Sequence, residues 1–135
     1  MKTVNHECYI LLEVAKLLKE AGFDWETKHR WDYCKPIDEW SLRNYPEEPR
    51  NWNSKYYNYD CSAPTLEVAQ RWLREVKEIE VNVLCVYIDH IKKYSYTIFT
   101  NEYKHEIIDE GFDTYEEALE TGIKKALELI LEKGE

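Results

Sequence analysis

The sequence predicts a single-domain α+β protein: an antiparallel sheet packed with two or three helices, in the order α-(ββ)-α-β-β-β-α. Three observations predict it. Apolar residues recur at three- and four-residue spacing in three segments, 5–21, 64–77 and 115–131. Between 79 and 108 the period drops to two, the signature of strands. The chain has 135 residues, 44% of them apolar and 14% aromatic, which is enough for one core and too little for two. The sheet is three-stranded, or up to five-stranded if two short strands within 24–60 join it. The domain divides into an N-terminal helix (1–23), an aromatic and proline-rich irregular segment (24–60) and an α-β-β-β-α unit (61–135).

The first helix is read over 5–21. Leu11, Val14, Ala15, Leu18 and Ala21 form its apolar stripe, and Glu13, Lys16, Lys19 and Glu20 take the outer face. Gly22 suits a left-handed cap. The segment 24–60 holds nine aromatics (Trp25, Trp31, Tyr33, Trp40, Tyr45, Trp52, Tyr56, Tyr57 and Tyr59) with Pro36, Pro46 and Pro49. Alternation over 28–33 predicts a short strand, 35–38 a turn, and 39–42 a second strand. Residues 43–60 show no period, and their aromatic content predicts an ordered loop.

Pro64 opens the second helix, which runs to Lys77 with Ser62 or Thr65 as cap and Leu66, Ala69, Trp72, Leu73 and Val76 as its stripe. The strand 79–88 is apolar on both faces, with Val81, Val83, Cys85 and Tyr87 on one and Leu84, Val86 and Ile88 on the other, which predicts a central position. A turn at 89–93 leads to a strand at 94–100. A tight turn at Asn101 and Glu102 leads to another at 103–108. Gly111, Phe112 and Asp113 read as the end of the sheet. Thr114 and Glu117 then form a capping box for the last helix, the most amphipathic in the chain. Its stripe, from Tyr115 to Leu131, suits a core and also a homodimer.

Charge bounds the function. The net charge is -9, split into -2 over 1–60 (11 acids, 9 bases) and -7 over 61–135 (16 acids, 9 bases). Such acidity argues against nucleic acid or an anionic membrane as partner, because both reward clustered Lys and Arg. No apolar run is long enough to span a bilayer, and polar residues interrupt the first turns, so a cytoplasmic setting is expected. The order α-β-β-β-α is shared by double-stranded-RNA-binding domains. Those place lysines at the start of the last helix, where this chain has Asp113, Glu116, Glu117 and Glu120.

Cys8, Cys34, Cys61 and Cys85 contain no CxxC pair, and no disulfide framework is expected. Cys8 and Cys85 read as small buried apolar residues. His29, Cys34 and Cys61 could in principle meet at a zinc ion, but they lack the close ligand pairs of structural zinc sites, and no metal or cofactor is expected. His6, His90 and His105 read as surface or strand residues. Four glycines are too few for a phosphate-binding loop. No catalytic constellation is present in the sequence pattern.

Two features remain. The aromatics of 24–60 fill an open sheet face, or else form a recognition surface with Arg30, Arg43 and Arg50. Residues 102–120 hold Glu102, Glu106, Asp109, Glu110, Asp113, Glu116, Glu117 and Glu120 against Lys104 alone. This cluster is a solvated face with helix-start acids, or else a docking face for a basic partner.

Four strings taken together resemble a family of small uncharacterised phage and prophage proteins of gut Bacteroidetes. They are AKLLKEAGFD (15–24), CSAPT (61–65), WLRE (72–75) and GFDTYEEAL (111–119), in the same order and spread over nearly the whole chain. The chain departs from that family in the length of its Trp- and Pro-rich segment. The resemblance implies a bacterial cytoplasm and an accessory role, and supplies no catalytic residues. The expectation is therefore a non-catalytic module that binds a protein through Glu110, Asp113, Glu116, Glu117 and Glu120, with Trp40 and Trp52 as anchors. The alternative is a small-molecule or saccharide-binding module, or a minor enzyme, working through 24–60.

Overall fold

The computed structural model describes residues 8–57, 59–101 and 104–133, with the backbone alone at 104–110 and 133. The α+β class expected from the sequence is observed, with helices α1 (Leu12–Ala21), α2 (Leu66–Val76) and α3 (Tyr115–Lys133). The strands are β1 (His29–Cys34), β2 (Glu39–Asn44), β3 (Cys61–Ser62), β4 (Glu80–Ile88), β5 (Ile91–Phe99) and β6 (Lys104–Phe112). The expected three-stranded antiparallel sheet is observed, and the short strands of the aromatic segment build a second sheet of their own instead of extending it. The two antiparallel three-stranded sheets are ordered β2-β1-β3 and β4-β5-β6. The two-residue strand β3, which has no period to announce it, joins β1 by pairing Cys61 with Trp31 and Ser62 with Arg30.

The N-terminal helix begins at Leu12, later than the periodicity suggests, and residues 5–7 lie outside the described part. Residues 8–11 run extended because their backbone bonds to the approach of α2. Ile10 N–H donates to Pro64 O at 3.2 Å, and Leu66 N–H donates to Cys8 O at 2.8 Å. Gly22 ends α1 with φ 98°, as expected of a left-handed cap, while Phe23 N–H donates to Leu18 O. Thr65, rather than Ser62, caps α2 by accepting from Val68 N–H.

Strand β4 lies at the edge of its sheet, not at the centre. Its apolar residues on both faces led to the central assignment, but β5 holds that place, and Cys85 is exposed rather than buried. Asp89 and His90, both with positive φ, make a two-residue turn that starts β5 at Ile91, three residues early. Gly111 and Phe112 do not break the sheet. Strand β6 runs through Phe112, which pairs with Tyr94 after an irregularity between Tyr94 and Tyr96. The turn at Asn101 and Glu102 and the expected strand start at Tyr103 reach outside the described residues.

The core lies between α1, α2, α3 and one face of β4-β5, around Leu18, Trp72, Leu73, Ile98, Leu119, Ile123 and Leu127. Helix α3 approaches the sheet closely at Gly122, where an added Cβ would meet Val81 Cγ1 at 2.7 Å and the Tyr96 ring at 3.0 Å. The middle of the α3 stripe, from Ala118 to Leu127, is buried in this core, while Tyr115 at its start is exposed and Ile130 and Leu131 at its end are half-buried. No helix among the described residues is long and apolar enough to cross a membrane.

Candidate functional site

The acidic start of α3 forms one wall of a cleft of about 730 Å³. The capping box expected from the sequence is present. Thr114 Oγ1 accepts from Glu117 N–H at 3.0 Å, and Thr114 N–H donates to Glu117 Oε1 at 3.3 Å. Helical spacing then places Glu116, Glu117 and Glu120 on the cleft, and Asp113 lines it from just ahead of the helix. The apolar side is supplied by Tyr9, Leu11, Leu66 and Phe112, from three distant segments. Glu110 lies in β6 beside the cleft residue Gly111, and its side chain is outside the described residues.

The acids differ in how they are engaged. Asp113 is paired with Lys93, which holds its carboxyl below the ordinary value. Glu120 reaches across to the N-terminus of α1, where its Oε2 accepts from Leu11 N–H at 2.7 Å. Burial raises its pKa, only partly countered by that bond, and nearby Glu13 adds to the rise. Glu116 has no hydrogen-bond or ion-pair partner among the described residues. With Asp113 balanced by Lys93, the cleft keeps the negative charge of Glu116, Glu117 and Glu120 beside an apolar floor. Such a surface suits a cation on an aliphatic stem, because the stem buries apolar area while the head meets carboxylates.

Cys8 also lines this cleft. Burial raises its thiol pKa, and the charges of Glu116 and Glu120 raise it further. Such a thiol resists ionisation, the opposite of an activated nucleophile. Cys8, Tyr9, Leu11, Leu66 and Lys93 escape sequence reasoning, since only the fold gathers them. The sole local signal is the spacing of Glu116, Glu117 and Glu120.

The aromatic segment has a different use. The Arg30 guanidinium lies 4.4 Å from the Tyr45 and Trp52 ring centres and 5.8 Å from that of Tyr57. It pairs with Asp32 and with Asp60, and Tyr45 Oη donates to Asp32 Oδ2 at 2.9 Å. Trp52 is only 4% exposed, and its Nε1 donates to Thr27 O at 2.8 Å. It is therefore no surface anchor. The bulk that suggested recognition is used to enclose a cation. Trp40 is half-buried against Tyr33 and beneath the Lys16 ammonium, on β2 and outside the cleft lining. Trp31 likewise turns inward and donates Nε1 to Ile10 O.

His29, Cys34 and Cys61 are not gathered. His29 stacks on Tyr9 with ring centres 3.9 Å apart, Cys34 is exposed and Cys61 is buried. Among the described residues no group of three or more His, Cys, Asp and Glu is placed to hold a metal ion. The chain matches no protein-family model, and no curated protein or solved structure matches it either.

Proposed function

We propose that this chain is a non-catalytic binding module whose acidic cleft takes a basic side chain of a protein partner. The observation that carries the reading is the cleft itself: Glu116, Glu117 and Glu120 line it together with Leu11, Leu66 and Phe112, and Glu116 is unpaired among the described residues. An arginine or lysine would lay its methylenes on the apolar floor and its charge against the carboxylates. A role as an accessory protein of a phage or prophage in a bacterial cytoplasm fits the family resemblance and the acidity.

The test is calorimetric titration with an oligo-arginine peptide and, as control, an oligo-glutamate peptide. Binding of the first alone is expected, weakening with salt and lost in Glu116→Lys/Glu117→Lys. Equal affinity before and after charge reversal would remove the cleft from the function. Pull-downs with both proteins would then show which cellular partners depend on those two residues.

A further inference from the structure

Among the described residues, strand β4 has a neighbouring strand on one side only. It turns into β5 through Asp89 and His90, with Ile88 opposite Ile91. In a two-residue hairpin the closing pair exchanges both hydrogen bonds, and the bonded pairs alternate from there. Glu80, Asn82, Leu84, Val86 and Ile88 therefore aim their N–H and C=O groups at β5. Val81, Val83, Cys85 and Tyr87 aim theirs away from the sheet.

The outward carbonyl of Val81 is occupied, because Gln70 of α2 donates Nε2 to it at 2.6 Å. That contact agrees with the alternation. Further along, no hydrogen bond among the described residues reaches the outward groups of Val83, Cys85 or Tyr87. Cys85 is exposed and Tyr87 is 70% exposed. Edge strands are normally protected by lysine, proline or a bulge. Between Glu80 and Asp89 there is no charge and no proline, and pairing with β5 is continuous.

We propose that β4 pairs antiparallel with β4 of a second copy of this chain, about a twofold axis at Cys85, giving a continuous six-stranded sheet. The free stretch from Val83 to Tyr87 is centred on Cys85 and complements itself. The axis sets Val83 opposite Tyr87 of the second copy, Cys85 opposite its twin, and Leu84 opposite Val86. All of these cross-strand pairs are uncharged. A charged partner strand would instead lose hydration against apolar neighbours with nothing to compensate it. The register follows from the ends: shifting the axis toward Val81 requires the carbonyl that Gln70 holds, and shifting it toward Ile88 runs into the turn. Roughly six backbone hydrogen bonds result from the alternation. The surface is distinct from the acidic cleft and does not rest on it.

Sedimentation from low micromolar to submillimolar concentration tests this. A dimer that grows with concentration is expected, and also with salt, because each copy carries a charge of -9. Oxidation by copper–phenanthroline, which takes two electrons from two thiols, should link the copies through Cys85. The link should persist in Cys34→Ser and vanish in Cys85→Ser. Tyr87→Pro removes one outward N–H at a site whose side chain is already in solvent, so the far-UV circular dichroism should stay native while the dimer disappears. If that variant fails to fold, Cys85→Lys replaces it, placing like charges at the axis. A chain that stays monomeric throughout overturns the proposal. So does a dimer that survives Cys85→Lys, or one whose oxidised link runs through Cys34.

Discussion

The β4-β5-β6 sheet presses Val81, Tyr96 and Ile98 into an apolar core under α3, whereas the β2-β1-β3 sheet carries a guanidinium with three aromatic rings around it and two carboxylates at its edge. Each solution suits its sequence. The second half of the chain has periodic apolar residues and needs no special contact, since apolar burial is non-directional and tolerant. Residues 43–60 of the first half lack period, and the segment around them is ordered by directed contacts. Trp52 N–H donates to Ser62 Oγ, Asn53 Nδ2 to Phe23 O, Ser62 N–H to Asn53 Oδ1, and Lys19 Nζ to the carbonyls of Tyr57 and Asp60. Directed contacts fix one geometry well and fail abruptly when a member is removed.

The sharpest way to break the contrast is Arg30→Ala. It strands Asp32 and Asp60 at a site where burial already pushes the Asp60 carboxyl up against the pull of Arg30, and it empties the ring of aromatics. Removing one partner of a fully buried ion pair costs on the order of 3–5 kcal/mol, and the partial solvent exposure of this one lowers the expectation to about 2–3 kcal/mol. Urea unfolding should show a loss in that range, with Arg30→Lys recovering part of it, because lysine keeps the charge without the planar stacking. A loss no larger than that of an exposed substitution would mean that the cage is decoration.

The matching perturbation in the other sheet is Gly122→Ala. Its Cβ would press on Val81 and Tyr96, and overpacking costs about 1–3 kcal/mol, against a gain of about 1 kcal/mol in helix propensity. A net destabilisation of about 1 kcal/mol is expected from thermal melts on that balance. Val81→Ala should cost less in the Gly122→Ala background than in the wild type, since it opens the space that the new methyl needs. Additivity of the two changes would contradict the close approach of α3.

The smallest effect concerns Glu120, which ties α1 to α3. Its folded pKa is raised, so folding takes up a proton in the window just above its ordinary 4.5. Stability from this group therefore increases as pH falls through that window, and is absent well above it. Glu120→Gln should flatten this component and leave the fold near neutral pH intact, because the amide oxygen can still accept from Leu11 N–H. The same change should weaken oligo-arginine binding. Stability measured across pH, alongside the titrations, separates the two roles.

The sequence makes local features legible. Gly22 as a cap, Thr114 and Glu117 as a capping box and the stripe of α3 each depend on residues within a turn or two, so spacing reveals them. The wall of the cleft is readable for the same reason, through Glu116, Glu117 and Glu120. Its floor is not, because Cys8, Leu66 and Phe112 meet only through the tertiary fold. The Arg30 cage is equally hidden. Tyr45, Trp52, Tyr57 and Asp60 lie 15 to 30 residues away with no common period, so the same aromatics suit either an exposed surface or an enclosure. Strand β4 is read as central because apolar side chains on both faces are what a central strand needs. Position within a sheet is decided by which strands pair, and composition does not encode that.

The division between the sheets also has an optical consequence. All five tryptophans lie between Trp25 and Trp72, and none falls in β4, β5, β6 or α3. Trp52 packs at a tilt against Tyr45 and edge-on against Tyr57, with a cation over its ring, so its emission depends on the cage being closed. Intrinsic fluorescence thus carries two signals: four tryptophans report on the aromatic segment, and Trp72 reports on the core under α3. A local opening of the aromatic segment would change the emission while the ellipticity of α3 stayed at its native value, so a single chain carries a built-in reporter for partial unfolding.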